Sequence, residues 1–479
     1  MNMRRVVVQA PDERGLRAVT VDGEPAGSAW SLRDLRKQLR RAGLPRETDL
    51  DDRACVSWRG ADGATWPDRA GRRRTTIALM TAGLLVSAFL LVGIGMVDAL
   101  GALTFSGRLA GMLFVLSGAV QVCAAAAVFD YWGKRTLRYS GAAVLLGVLV
   151  TVATQGLLLA LWFQEREWTP YLPVFLALAA WSLWAVWTVW RERAWKGITH
   201  PRSFTVGVAA TALLASVNFA YSALYQPQTA LFHFKVEATF GTPRPDPERP
   251  LAYLPVRLRV ANDGVVPGYI VNSAYWVEGR QSVFDATRAA PLRDQWRADA
   301  EADGDTESHV RATGYRMIDS GPVVTTGVWM APGTSFTTER VLQIPRNAAY
   351  DLVTANMSAY FIRGDRARID PEFETPIFSW KEKRDRFFDC RPAACLDYVA
   401  HHARVHHNNN IINVTRRPRY VTAWRSVGPV GSQMQVLISP LDSRGLVSFD
   451  LESADRYGVD QYLSGLSEIP YASLWEVRP

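Results

Sequence analysis

Five long apolar segments dominate the pattern of hydrophobic and polar positions in the middle of this chain. They cover residues 77–97, 109–129, 141–163, 171–190 and 204–225. About 20 apolar residues span a hydrocarbon core about 30 Å thick, and only helices and closed barrels satisfy their backbone hydrogen bonds inside it. No segment alternates polar and apolar residues as a barrel strand does. We therefore predict a membrane α-helical bundle of five transmembrane helices over residues 77–225.

The loops between these segments differ in charge, and this difference predicts how the chain is oriented. Short cytoplasmic loops carry an excess of Lys and Arg. The opposite loops contain only Arg108 and Arg166 as basic residues. We predict a cytoplasmic N-terminus and, with five spans, an extracytoplasmic C-terminus. The alternative is that one segment is re-entrant or peripheral, which would return the tail to the cytoplasm. The predicted cytoplasmic basic residues are Arg69, Arg72, Arg73, Arg74, Lys134, Arg135, Arg138, Arg191, Arg193, Lys196 and Arg202.

The chain has four cysteines, and their positions fit this orientation. Cys390 and Cys395 lie close together in the tail, where an oxidising compartment would preserve a disulfide between them. Cys55 lies in the N-terminal region and Cys123 lies inside the second apolar segment, so both are expected to stay reduced. The alternative is that Cys390 and Cys395 are unpaired structural cysteines.

Residues 1–70 predict a small cytoplasmic α+β domain. Ser31 is a suitable N-cap for a helix, and Gly43 is placed to end that helix. The order strand, strand, helix, strand, strand is compatible with a ubiquitin-like β-grasp. No phosphate-binding loop or nucleophile motif is present in this domain, so enzymatic activity there is not expected. The pattern places the four strands at 6–8, 18–21, 55–58 and 64–66.

The helix of this domain is strongly basic. It could bind a partner or the inner leaflet, and the alternative is an ordinary solvated face. The formal net charge of the chain is +8 at pH 7, and the basic residues concentrate near the predicted cytoplasmic face. Attraction to anionic lipid explains this distribution, so we do not predict nucleic-acid binding. The basic residues of the helix are Arg33, Arg36, Lys37, Arg40 and Arg41.

The apolar segments contain no ionisable residue near their middle, which disfavours a transport path or proton relay. Three polar residues, Gln121, Gln155 and Asn218, lie inside the segments. We predict that they form interhelical hydrogen bonds, and the alternative is that they line a permeation route.

After residue 225 the pattern changes to short apolar or alternating segments separated by turn residues. Such spacing is typical of an antiparallel β-sandwich, so we predict an extracytoplasmic Ig-like β domain over 226–370. The remaining tail, 371–479, is predicted as an extracytoplasmic region that contains the disulfide and most of the histidines.

Four of the seven histidines, His401, His402, His406 and His407, lie within seven positions of each other. We predict a helix from Pro392 to these residues, which would place His402 and His406 on one face, as in many zinc sites. Asp389 or Asp397 could supply a third ligand. One alternative is a polar helix end whose imidazoles bind no metal. Another is a cluster of imidazoles that senses pH.

These observations lead to one leading hypothesis and two alternatives. Arg in excess of Lys and abundant Ala and Val are typical of a GC-rich coding sequence, so we expect a multi-pass protein of a bacterial plasma membrane. We expect a non-enzymatic envelope protein that binds or scaffolds a protein partner, or relays a signal between its two soluble parts. The alternatives are a metal-dependent envelope enzyme that uses the 401–407 histidines, with zinc as cofactor, and an accessory subunit of a transport complex.

Overall fold

A computed structural model describes residues 5–476 with several gaps. The longest gaps are 195–206, 285–290, 302–309, 382–396 and 441–450, and only scattered positions are described within 207–228. The chain divides into two compact units. The first contains Met1–Val92, Leu116–Gly156 and Val174–Ala212, and the second contains Gly93–Val115, Leu157–Pro173 and Leu213–Pro479.

The N-terminal part of the first unit is a small α+β domain, as predicted. Its sheet has the order β3-β2-β1-β4, in which β1 pairs parallel with β4. In a β-grasp, two strands that precede and follow the helix in sequence also pair in parallel. The assignment as a β-grasp stays a prediction. The elements are β1 (Val6–Val8), β2 (Arg17–Val21), β3 (Glu24–Ala29), α1 (Leu32–Arg41) and β4 (Val56–Trp58).

Local signals explain most of this domain. The Ser31 hydroxyl accepts a hydrogen bond from the backbone N–H of Asp34 at 3.3 Å, which confirms the N-cap. Gly43 follows the helix with φ 82°, as an αL residue after a helix does. The sequence did not predict β3, which follows a turn at Asp22 and Gly23, both with positive φ. The predicted strand at 64–66 lies largely outside the described residues.

Among the described residues, four helices are long and apolar enough to span a membrane, which indicates a membrane protein. The predicted fifth span, 204–225, lies largely outside the described residues, so it stays a prediction. The four helices are α2 (Ala70–Gly101), α3 (Phe105–Tyr131), α4 (Ser140–Glu165) and α5 (Leu172–Arg191).

Small residues let the helices of the first unit approach closely. A Cβ added at Gly147 would lie 2.3 Å from the Cβ of Ala124, and one at Gly83 would overlap the Trp181 ring. The Trp181 indole N–H donates to the carbonyl of Leu79 at 3.1 Å. Close approach at small residues therefore contributes to the packing of the helices in this unit.

Two of the polar residues predicted to join the helices, Gln121 and Gln155, do not do so in the described part of the chain. Gln121 and Gln155 are fully buried, but neither amide has a hydrogen-bond partner there. Asn218 is exposed. The prediction of interhelical hydrogen bonds is therefore wrong for the two glutamines, because the close helix contacts are made by small apolar residues.

The described residues of the second unit form three β-sheets. The first has the order β11-β7-β5, with β6 paired to β7, and the second has the order β10-β8-β12-β18, with β9 and β19 added at β8 and β12. The first is built from β5 (Phe234–Phe240), β6 (Arg244–Pro245), β7 (Leu251–Asn262) and β11 (Ser335–Pro345). The second is built from β8 (Gly268–Phe284), β9 (Val310–Gly321), β10 (Trp329–Met330), β12 (Leu352–Arg363), β18 (Val459–Leu463) and β19 (Ser467–Pro470).

The third sheet has the order β13-β15-β16-β17, with β14 paired to β15. Its strands are β13 (Ala367–Ile369), β14 (Ile377–Phe378), β15 (Tyr398–His407), β16 (Arg419–Gly428) and β17 (Gly431–Ser439). Three helices accompany the sheets of this unit: α6 (Leu292–Glu301), α7 (Asn410–Asn413) and α8 (Leu451–Tyr457).

Strand β12 is buried on both faces because each face belongs to a different core. Phe361 packs in the core shared with the first sheet, and its neighbour Ile362 packs in the core shared with the third sheet. Strands β18 and β19 come from the end of the chain and pair with β12. A boundary at residue 370 therefore divides strands of one sheet. The C-terminal region is mostly β-sheet, as predicted, while its Ig-like character stays a prediction.

Candidate functional site

The four tail histidines lie on strand β15 and not on the predicted helix. The strand pairs antiparallel with β16, so that His401 lies opposite Ala423 and His402 opposite Thr422. Residues four apart on a strand are about 13 Å apart, whereas on a helix they are neighbours. The predicted pair of His402 and His406 on one helix face is therefore wrong, because pairing with a distant strand determines the local conformation.

Each of these imidazoles has its own partner. The ring of His401 contacts the Phe373 carbonyl at 2.9 Å, and that of His402 contacts the Thr422 hydroxyl at 2.8 Å. His406 lies 3.0 Å from a carboxylate oxygen of Asp370. No group of three or more His, Cys, Asp or Glu side chains with metal-ligand geometry occurs among the described residues. Zinc binding by this strand stays a prediction, and Asp389, Cys390 and Cys395 lie outside the described residues.

His407 is a buried imidazole. Its Nδ1 accepts a hydrogen bond from the backbone N–H of Asn409 at 3.1 Å. Burial lowers the pKa of His407 to about 3, and the positive charge of Arg416 acts in the same direction. Burial also lowers the pKa of His401. Burial therefore favours the neutral form of both imidazoles.

A polar constellation among the described residues of the second unit surrounds α7, directly after β15. It joins residues 408–419 and Arg456 to two short connections, one between α2 and α3 and one between α4 and α5. We call this constellation the clamp. Its members are Asp98, Asn408, Asn410, Glu165, Glu167, Arg416, Arg419 and Arg456.

Asp98, in the last turn of α2, receives the start of α7. Its carboxylate oxygens accept hydrogen bonds from the backbone N–H groups of Asn410 at 2.6 Å and Ile411 at 3.2 Å. The Asn410 side chain donates in turn to the Ile94 carbonyl at 3.3 Å. Asp98 is 2% exposed. A buried carboxylate that accepts two backbone N–H bonds is a strong and directional anchor.

Asn408 attaches the same segment to the connection between α2 and α3. Its side-chain oxygen accepts from the backbone N–H of Leu103 at 2.8 Å, and its amide nitrogen donates to the Thr104 hydroxyl at 3.0 Å. Asn408 is buried, so both ends of its amide are paired away from water. Because both the oxygen and the nitrogen of this amide are bonded, Asn408 fixes the position of its segment relative to the connection between α2 and α3.

Glu165, the last residue of α4, and Glu167, two positions later, bind the arginines of the clamp. Glu165 lies 3.3 Å from Arg416 and 2.8 Å from Arg456, and Glu167 lies 2.6 Å from Arg419. The side chain of Arg419 is 6% exposed and that of Glu167 is 27% exposed. Burial by itself would raise the pKa of Glu167, but the hydrogen bond and charge of Arg419 outweigh it and lower the pKa. Glu167 is therefore ionised at neutral pH.

Sequence reasoning missed the clamp. The residues Glu165 and Glu167 were visible only as acids in a short connection, and Arg416 and Arg419 only as part of a polar segment. Their opposite charges were the available signal, yet charge does not specify which acids and bases meet. Among the described residues the clamp holds no group of metal ligands, because Asp98 accepts from backbone N–H groups and Glu165 and Glu167 pair with arginines. What it can do is hold the β-sheets of the second unit to the ends of α2 and α4.

Comparison with known proteins adds little to this picture. No protein-family model and no curated protein sequence matches the chain. Among solved structures, the chain is similar to a crystal structure described as the ApaA protein of Bordetella pertussis, with 14% identity, a TM-score of 0.17 and coverage of 28% of this chain and 82% of that one. An X-ray structure of a structural genomics target is similar at 10% identity, with a TM-score of 0.15 and coverage of 28% and 74%. At these TM-scores neither likeness carries an argument.

Proposed function

We propose that this chain is a non-enzymatic, multi-pass protein of a bacterial plasma membrane that relays a change from an extracytoplasmic β region to a cytoplasmic α+β domain. The clamp carries this proposal. It fixes the β region to the ends of α2 and α4 through buried, directional contacts, so a partner that shifts the β region also shifts those helix ends. The partner is expected to be another envelope protein.

The clamp also supports the proposed orientation. The β region contacts the two connections that are poor in Lys and Arg, whereas the basic loops flank the opposite helix ends. By the positive-inside rule the poor connections are extracytoplasmic. A fifth span at 204–225 would bring the chain back to the extracytoplasmic side. An oxidising compartment there would preserve a Cys390–Cys395 disulfide beside an Ig-like sandwich.

Helix α2 is the element suited to transmit the change. It begins directly after the α+β domain, where the Arg73 guanidinium stacks on the Trp30 ring at 4.0 Å. It continues without a break to Asp98 in the clamp. A relay requires an element with two arrangements, and the sites at both of its ends must shift the equilibrium between those arrangements. The described carboxylates of the clamp are occupied by structural partners, which favours relay over catalysis.

Hydrogen exchange of the full chain in lipid nanodiscs tests the relay. The clamp variant Asp98→Asn is compared with Asp263→Asn, which changes an exposed aspartate of the β region. The relay predicts altered exchange in residues 5–58 for Asp98→Asn and not for Asp263→Asn. Exchange that changes only near α7 would overturn the relay and leave a passive scaffold.

Cysteine labelling in intact cells tests the orientation. Cys390 and Cys395 are expected to react with an impermeant reagent only after reduction. Labelling that requires a permeabilised membrane would overturn the extracytoplasmic assignment. Stoichiometric zinc in the purified protein, lost on substitution of His402 or His406, would instead favour the enzyme hypothesis.

A further inference from the structure

The basic face of α1 is the largest exposed cluster of like charge in the described part of the α+β domain. Leu35, Gln38 and Leu39 are the buried residues of this helix and define its inner face. At 100° per residue the five basic side chains occupy the opposite face, and all five are exposed. They are Arg33, Arg36, Lys37, Arg40 and Arg41. No ion pair joins them to another described residue.

The start of α1 is held next to the start of α2. Trp30 directly precedes the N-cap residue Ser31, and its ring contacts the guanidinium of Arg73 in the first turn of α2. Arg72 and Arg74 are also exposed beside this contact. The basic face of α1 is thereby tied to the helix end at which the chain enters the membrane.

We propose that the basic face of α1 binds anionic phospholipid headgroups of the leaflet in which α2 is anchored. Charge complementarity favours this partner, because an anionic leaflet carries many negative headgroups that attract the five cations on this face. The contact between Arg73 and Trp30 keeps α1 close to the bilayer that holds α2. The effective concentration of lipid headgroups at α1 is therefore high, which favours this bilayer over a soluble acidic partner. The proposal rests on the membrane placement of α2 and not on the relay.

The contact has an expected strength and salt dependence. Each Lys or Arg near an anionic leaflet strengthens binding by about fivefold. Removing two of them should therefore weaken the contact by about 25-fold. The Debye length falls from about 10 Å at 0.1 M salt to about 3 Å at 1 M, so high salt should release the helix.

The test is hydrogen exchange of residues 32–41 in the full chain, in nanodiscs of phosphatidylcholine alone or mixed with phosphatidylglycerol. The variant Arg36→Gln/Arg40→Gln removes two charges from the basic face. The control Arg5→Gln/Arg59→Gln removes two exposed charges from elsewhere in the same domain, so the net charge is matched.

The proposal expects slower exchange of α1 with phosphatidylglycerol, lost in Arg36→Gln/Arg40→Gln and in 1 M salt but retained in the control. Equal exchange in both lipids would overturn it, and so would equal loss in both variants. Protection that needs an added acidic protein would also overturn it. Unchanged exchange in β1 and β2 confirms that the variants are folded. Both sides of a nanodisc are open to solvent, so this result is independent of orientation in the cell and of the relay.

Discussion

Two arginine-rich regions of this protein have similar composition and opposite surroundings. In the clamp, Arg416, Arg419 and Arg456 are largely buried and each meets a carboxylate of Glu165 or Glu167. On α1, the basic residues are exposed and no described residue pairs with them. Buried charges are tolerated only when paired, whereas exposed charges need no partner. The first region therefore acts within the chain, and the second is available to something outside it.

The largest effect is expected from Asp98→Ala. This change leaves the backbone N–H groups of Asn410 and Ile411 without their charged acceptor, and such bonds contribute about 1.5–3 kcal/mol each. We expect the β region to lose about 3 kcal/mol of stability, measured by chemical unfolding in nanodiscs. The control Asp263→Ala changes an exposed residue and should cost less than about 0.5 kcal/mol. An equal loss of unfolding free energy in the two variants would show that the hydrogen bonds of Asp98 do not stabilise the β region.

A double-mutant cycle on Glu167 and Arg419 should give the next largest effect. Arg419→Ala leaves Glu167 in a partly buried site without its counter-charge, which should cost about 2–3 kcal/mol. Because Glu167 retains some solvent, this is below the usual cost for a fully buried pair. The double variant should cost no more than Arg419→Ala alone, so the coupling energy in the same unfolding assay should exceed about 1 kcal/mol. Additive effects would contradict the ion pair.

Acid should weaken the β region through His407. Its pKa is lowered in the folded protein to about 3, so between the ordinary value of 6.5 and pH 3 the unfolded chain binds the extra proton. Stability therefore falls as pH falls through this window, by about 1.4 kcal/mol per pH unit. His407→Asn keeps an acceptor for the N–H of Asn409 and removes the titration. Its stability should vary less with pH between 6.5 and 4.5, and an unchanged slope would assign the acid sensitivity elsewhere.

The smallest effect on stability is expected from the basic face of α1. The variant Arg36→Gln/Arg40→Gln should change the unfolding free energy of the α+β domain by less than about 0.5 kcal/mol, because exposed, unpaired side chains contribute little to folding. The same measurement on Arg5→Gln/Arg59→Gln gives the baseline. A loss above about 1 kcal/mol in the first variant would mean that its arginines are paired within the protein, as those of the clamp are.

The histidines illustrate what the sequence could and could not predict. The spacing of His402 and His406 fits a helix, and Pro392 was a reasonable start for one. Both residues lie in β15, where His402 pairs with Thr422 of β16 and His406 pairs with Arg368 of β13. A local pattern cannot reveal a partner strand that is about 20 residues away in sequence, and its pairing overrides helix spacing.

Arg419 and Glu167 give the same lesson for the clamp. They are 252 positions apart, and nothing near either residue specifies the other. The pairing of β18 and β19 with β12 likewise joins segments about 100 positions apart. By contrast, Ser31 and Gly43 predicted both ends of α1, because capping depends on residues within one turn of the helix.

The sequence by itself determined the four apolar helices, the α+β character of residues before them and the β-rich character of the region after them. Each of these follows from patterns within about 20 residues, since length, periodicity and capping are local properties. The tertiary structure alone decided which arginines are buried, where the histidines lie and which helix ends the β region holds. These depend on contacts between residues distant in sequence, from about 20 positions for β15 and β16 to 252 for Arg419 and Glu167, and burial of a charge is acceptable only where folding brings its partner to the same place.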